Sequence, residues 1–276
     1  MTITQSILLG LIQGLAEFLP ISSSGHLAIL QNLFGIEGDQ VLALTATLHF
    51  GTLISLVAVY YKDLWDLIKE LFAALKDLFT GKGLRPDANE TRKLGIMIVI
   101  ATIPTAAFGL LLNDFFNAMY TSMILVGVNL LVTGTLLWTV ERIAGKGRTV
   151  REMKYRHALL VGLFQTIAMM PGISRSGSTI AGGLVSGLKR EFAVRFAFLV
   201  SVPPILGAVI LEMPDALASG GGDMVLPIIA GVVTAAVSGF LAIKFMIRLV
   251  TNKGLKIFSY YTWVAGAVLI VYTLLS

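Results

Sequence analysis

The chain has 276 residues, 56% hydrophobic and 13% charged, with a mean hydropathy of +0.84. That composition excludes a soluble domain, because repeated apolar stretches approach the roughly 20 residues that cross a bilayer as helix. The net charge of +5 would suggest nucleic acid in a soluble protein, but here it is the excess of a cytoplasmic membrane face, and the absence of Cys removes disulfides, thiol nucleophiles and Cys-held metals.

In chain order, residues 3–30 come first and hold Gln13, Glu17, Pro20, the run Ser22, Ser23, Ser24, and His26. No charge precedes Glu17 and no basic n-region is present, so this start does not read as a cleaved signal peptide. Apolar spans follow at about 41–61, 94–112 and 121–140. Between the first two, Leu64, Leu67, Ile68, Leu71, Leu75 and Leu78 recur at helical spacing among charges, which predicts an amphipathic helix on the membrane surface. After a basic connection comes an apolar segment at 158–188, then spans at about 196–213, 225–243 and 257–275. His49 and the prolines 104, 203 and 204 read as packing or kink positions, with His49 within reach of a central cavity.

Loop charges orient these spans. The connections Lys62 to Lys93, Arg142 to Arg156, Lys189 to Arg195 and Lys244 to Lys256 hold 20 of the 21 basic residues. Those around Glu37 and Asp39, around Asp114, and from Glu212 to Asp223 hold six acids and no base. The first set is therefore cytoplasmic and the second outward. Segment 158–188 then starts and ends on the cytoplasmic side, yet its 31 residues are fewer than the roughly 40 that two crossings need. A re-entrant hairpin is what remains, with Pro171, Gly172 and Gly177 at its break.

The start of the chain repeats this segment. Residues 10–25 (GLIQGLAEFLPISSSG) and 162–177 (GLFQTIAMMPGISRSG) align at a constant offset of 152, with Gln13 on Gln165, Ser22 on Ser174, Ser24 on Ser176 and Ser23 opposite Arg175. Residues 3–30 are likewise too few for two crossings. The expectation is an all-α polytopic membrane protein forming one domain over 1–276. It has six transmembrane helices and two re-entrant hairpins, in inverted repeats at 1–140 (hairpin about 3–30) and 150–276 (hairpin about 158–188). In transporters of this architecture the site lies where the broken helices converge.

Arg175 is the only base inside an apolar segment, and Glu17 reads as the only embedded acid. An embedded cation is costly unless paired or lining a polar cavity, and it marks a site that receives an anion. Hydroxyls at Ser22, Ser174, Ser176, Ser178 and Thr179, helix N-termini and a guanidinium suit phosphate oxygens. Ser23, His26 and Glu17 add a nucleophile candidate, an imidazole and a carboxylate, hence hydrolysis as well as binding. Gln13 and Gln165 read as orienting hydrogen-bonders. Each Ser alone could be a packing residue, and Arg175 could be a purely structural partner of Glu17.

At Gln13 to Glu17, Pro20 to His26, and Pro171 to Thr179 the chain resembles the undecaprenyl-diphosphate phosphatases of the bacitracin-resistance (BacA/UppP) type. That family carries an (E/Q)xxxE motif, a PxSSxGH segment and PGxSRSxxT, and the resemblance runs over the whole chain. It implies hydrolysis of undecaprenyl diphosphate to undecaprenyl phosphate and inorganic phosphate, which recycles the lipid carrier for cell-wall polymers and confers bacitracin resistance. It implies catalytic roles for Ser23, Glu17, His26 and Arg175, and diphosphate binding by Ser22, Ser174, Arg175, Ser176 and Thr179. Ser23 is the leading nucleophile, with His26 and direct attack by water as competitors. The resemblance also implies a divalent cation, Mg²⁺ or Ca²⁺, with Glu17 as its one protein carboxylate, and no organic cofactor. The implied setting is the bacterial plasma membrane, with the site open outward. The polyprenyl diphosphate and the bilayer are the partners, nucleic acid is not one, and homo-oligomerisation stays open. A transporter or flippase for the lipid phosphate is the alternative from another class. The type-2 phosphatidic acid phosphatases are disfavoured, since no His follows Arg175.

Overall fold

The computed structural model describes residues 2–36, 39–143, 147–219, 225–252 and 254–275. Glu37, Lys146, Asp223 and Lys253, which enter the charge argument, lie outside the described residues. Among those described the chain is helical, with one isolated bridge between Arg148 and Leu188. The first half comprises α1 (Ile3–Phe18), α2 (Ser23–Phe34), α3 (Asp39–Phe79), α4 (Glu90–Leu111), α5 (Asn113–Met119) and α6 (Met123–Ile143). The second comprises α7 (Tyr155–Ile167), α8 (Arg175–Val185), α9 (Arg190–Ser219), α10 (Val225–Asn252) and α11 (Lys256–Leu275).

Helices α3, α4, α6, α9, α10 and α11 each contain a stretch long and apolar enough to cross a membrane, at the six places expected. Most run on beyond the apolar stretch, because charged residues at a helix end meet headgroups and water without breaking backbone hydrogen bonds. The four helices α1, α2, α7 and α8 are only 16, 12, 13 and 11 residues long.

The expected surface helix is not a separate element. It continues α3 past a kink at Tyr60, where the backbone leaves helical values (φ −106°, ψ 23°). Beyond the kink Asp63 pairs with Arg195, Leu67 lies against Gly95, and Glu70 and Asp77 both take the Arg92 guanidinium. Trp65, Leu71, Phe72 and Phe79 are exposed along this extension. Helix α9 continues through Glu212 to Ser219, past the point where the connection was expected to begin. The Pro pair 203 and 204 is carried inside α9, and Pro104 inside α4.

The short helices are wrapped by long ones. Helix α1 lies along α10 and α7 along α4, while α6 packs on α11 and α3 on α9 and α10. Small residues permit the closest approaches, as they do where helices meet without a hydrophobic driving force. A Cβ on Gly10 would stand 2.3 Å from the Gly231 carbonyl oxygen, and one on Gly162 would stand 2.3 Å from the Ala101 carbonyl oxygen. The largest apolar cluster gathers Phe18, Met97, Ile180, Phe196 and Phe198, with Phe18 and Phe198 edge to face at 5.6 Å.

Candidate active site

Two helix N-termini meet at the centre of the molecule. Ser22 caps α2, its Oγ accepting from Gly25 N–H at 3.2 Å, and Ser174 caps α8, its Oγ accepting from Gly177 N–H at 3.1 Å. A short polar residue is favoured here because it satisfies one of the donors a helix start leaves without acceptors. The two turns repeat each other in detail. Ser22 and Ser24 hydroxyls lie 3.2 Å apart, as do those of Ser174 and Ser176. They also cross over: Gly172 N–H donates to Ser24 Oγ at 3.4 Å, and Ser176 Oγ donates to the Leu19 carbonyl at 3.1 Å.

The breaks before these helices leave buried backbone groups outside the helical hydrogen-bond ladder, and side chains supply the missing partners. Asn129 Nδ2 donates to the Pro171 carbonyl at 2.7 Å. Thr133 Oγ1 donates to the Gly172 carbonyl at 3.0 Å and accepts from Ser174 N–H at 3.1 Å. Gly172 has φ +91°, and a Cβ on it would meet the Val126 carbonyl oxygen at 2.4 Å, so only glycine fits. At the other break Ser22 adopts φ 72° without being glycine, a conformation that costs about 1–3 kcal/mol and persists only where surroundings impose it.

Glu17, on the last turn of α1, is the hub. Its Oε1 receives Arg175 Nη2 at 2.9 Å, and its Oε2 receives Ser23 Oγ at 2.7 Å and Gln13 Nε2 at 3.1 Å. The carboxylate is 3% exposed and the guanidinium 25%. A buried charge needs this degree of pairing, since its desolvation costs several kcal/mol. His49 of α3 completes the group: its Nδ1 bonds the Thr45 carbonyl at 2.9 Å, and its Nε2 lies 3.5 Å from Arg175 Nη2 and 3.8 Å from Glu17 Oε2. Since a carbonyl only accepts, Nδ1 carries the proton, and in the neutral ring Nε2 offers a lone pair to the guanidinium.

The other expected site residues are placed as follows. Thr179 Oγ1 donates to the Arg175 carbonyl at 2.8 Å and steadies the turn that presents the guanidinium. Ser176 and Ser174 lie beside it. Gln165 is fully buried and donates to Thr105 Oγ1 at 3.1 Å, away from Glu17 and Arg175. His26 is turned away from Ser23: its Nδ1 bonds the Ser22 carbonyl at 2.8 Å and its Nε2 the Tyr261 hydroxyl at 2.7 Å.

Sequence reasoning missed Asn129 and Thr133, although two polar residues four apart in an apolar span mark one helix face. It also missed Tyr261, whose neighbourhood gave no signal. Glu212 and Tyr120 were missed too, and both lie within electrostatic reach of Arg175, with Glu212 also in reach of His49. Among the described residues no group of three or more His, Asp or Glu side chains could hold a metal ion.

Fold and site together define a polytopic helical membrane protein with a buried polar centre: one guanidinium, one hydroxyl engaged with a carboxylate, and two converging helix N-termini. The chain belongs to the bacitracin resistance protein BacA family, whose model matches residues 6–268. It is 49% identical over 276 residues, the full length of both chains, to the undecaprenyl-diphosphatase of Alkaliphilus metalliredigens. It is 43% identical over 272 residues, 98% of each chain, to that of Halothermothrix orenii. The corresponding figure for Desulforapulum autotrophicum is 37% over 273 residues, again 98% of each.

Proposed function

We propose that this chain hydrolyses undecaprenyl diphosphate to undecaprenyl phosphate and inorganic phosphate inside the membrane. The observation that carries this reading is the linked set Ser23, Glu17 and Arg175, with Ser23 Oγ 2.7 Å from a carboxylate whose other oxygen is held by the guanidinium at 2.9 Å. A diphosphate entering the site competes with Glu17 for Arg175. Once the guanidinium turns to phosphate, Glu17 loses its countercharge and gains basicity while still in contact with Ser23. Ser23 Oγ then attacks the terminal phosphorus, its proton passes to Glu17, and the bridging P–O bond breaks to release the polyprenyl phosphate. Water hydrolyses the phosphoserine, and Glu17 returns the proton to Ser23. Arg175 and the N-termini of α2 and α8 stabilise charge on the phosphoryl oxygens. His26 as phospho-acceptor is disfavoured, because both its ring nitrogens are engaged.

A resident divalent cation is not well served by these residues. Both Glu17 oxygens are occupied, and the buried Gln13 Oε1 is an acceptor oxygen without a hydrogen-bond partner. Mg²⁺ or Ca²⁺ would instead arrive with the diphosphate, held chiefly by phosphate oxygens and at most by Glu17 and Gln13, and would neutralise phosphate charge.

The same reading includes two re-entrant hairpins, α1–α2 and α7–α8, in inverted repeats. Its support is the matched capping and crossed contacts of the two breaks, together with the matched packing of α1 on α10 and of α7 on α4. It further includes a bacterial plasma-membrane location with the site facing outward, in keeping with the loop charges and with the bacitracin resistance in the family's name.

The repeat also favours transport of the same lipid, which would need no nucleophile. Phosphate release from the polyprenyl diphosphate by purified protein, compared among wild type, Ser23→Ala and Arg175→Ala, separates the two. Release by wild type that both folded variants abolish is the expected result. A folded wild type that binds the lipid and releases nothing would overturn the hydrolase reading in favour of transport.

A further inference from the structure

His26 lies three residues beyond Ser23 on α2, yet its ring faces the far end of the chain. Nδ1 sits 2.8 Å from the Ser22 carbonyl, which also accepts the His26 backbone N–H at 3.2 Å. Because a carbonyl can only accept, the proton of the neutral ring is on Nδ1, and Nε2 is a lone pair. The Tyr261 hydroxyl of α11 donates to that lone pair at 2.7 Å, and the two rings lie nearly parallel, 12° apart with centroids separated by 5.6 Å. Two contacts, one from each half of the chain, thus determine both tautomer and ring direction. The strained backbone of Ser22 (φ 72°) aims the first, and the second comes from a residue 235 positions away.

We propose that Tyr261 is a positioning residue for the hydrolytic site, acting through His26. It holds the imidazole as the Nδ1–H tautomer with Nε2 directed to the tyrosine hydroxyl and away from Ser23. The division of labour follows. Glu17 takes the Ser23 proton, at 2.7 Å, and the imidazole so held braces the Ser22 carbonyl on the strained turn that presents Ser23. The inference rests on the phosphatase reading for its consequence in turnover, but its geometric content stands apart from that reading.

The test is Tyr261→Phe, which keeps the stacked ring and removes only the hydroxyl. The chain has three histidines, His26, His49 and His157, so nitrogen NMR on selectively labelled protein can resolve them. Wild-type His26 should give a protonated Nδ1 and an unprotonated Nε2, and Tyr261→Phe should mix the tautomers while leaving His49 unchanged. In turnover of the polyprenyl diphosphate, Tyr261→Phe should lower kcat about 10- to 100-fold with KM little changed, the scale of a misplaced catalytic group. In a His26→Ala background the same change should cost nothing further. An unchanged His26 tautomer in Tyr261→Phe, or an equal loss of kcat with and without His26, overturns the inference. A wild type lacking phosphatase activity would sink the proposed function, and the tautomer readout would then decide this inference alone.

Discussion

At the scale of single residues, the proposed mechanism has the substrate break an ion pair. Glu17 and Arg175 satisfy each other in the resting protein, and truncating Arg175 leaves the buried Glu17 carboxylate without its guanidinium, at a cost of about 3–5 kcal/mol. Arg175→Ala should therefore lose stability as well as turnover, and its thermal midpoint must be read beside its rate. Glu17→Gln is the cleaner probe of chemistry, since it keeps shape and a hydrogen-bond acceptor for Ser23. Turnover should fall about 10²- to 10⁴-fold, the range for a lost general base, with substrate binding retained. Binding that fails along with turnover would assign Glu17 to substrate recognition instead. Arg175, Glu17 and Ser23 were legible in the sequence because charge and hydroxyls are conspicuous in apolar surroundings. His49 was legible only as a packing position within reach of the cavity, and Tyr261 was not legible, because an aromatic ring in a membrane helix reads as packing until a distant partner is seen.

At the scale of elements, what matters is how two broken helices are tolerated. Helix α6 does this for the second break: Thr133, 1% exposed, serves both the Gly172 carbonyl and the Ser174 N–H. Thr133→Val keeps the volume and orphans both backbone groups, each worth about 1–3 kcal/mol when buried without a partner. The expected outcome is a lower thermal midpoint together with reduced phosphate release, because the same turn carries Arg175. Unchanged stability would mean that water reaches this backbone. The close glycine contacts make a paired prediction. Gly10→Leu and Gly162→Leu should each push a short helix off its long neighbour, at about 1–3 kcal/mol by overpacking, measured as the shift in midpoint. The six spans were readable from hydropathy alone, but their ends were not. The surface helix merged with α3 and Glu212 joined α9, because helix persists wherever its backbone bonds are made, whatever the hydropathy of the side chains.

At the scale of the whole molecule, the two halves are expected to enter the membrane from opposite sides, and the absence of Cys makes that directly measurable. Single cysteines at Thr4 and Asn32 mark the outer ends of α1 and α2, and cysteines at Tyr155 and Lys189 mark the beginning of α7 and the turn after α8; all four residues are exposed. If both hairpins are re-entrant, the first pair should react together with an impermeant maleimide applied from outside intact cells. The second pair should react only after the membrane is opened. The basic connections next to Tyr155 and Lys189 fix the sign of the expectation. If the two members of either pair labelled from opposite sides, α1–α2 or α7–α8 would be a crossing and the repeat argument would fail. If each pair labels as a unit from its own side, Ser23 and Arg175 are delivered from opposite faces to one depth. A lipid diphosphate can meet both there without its tail leaving the bilayer.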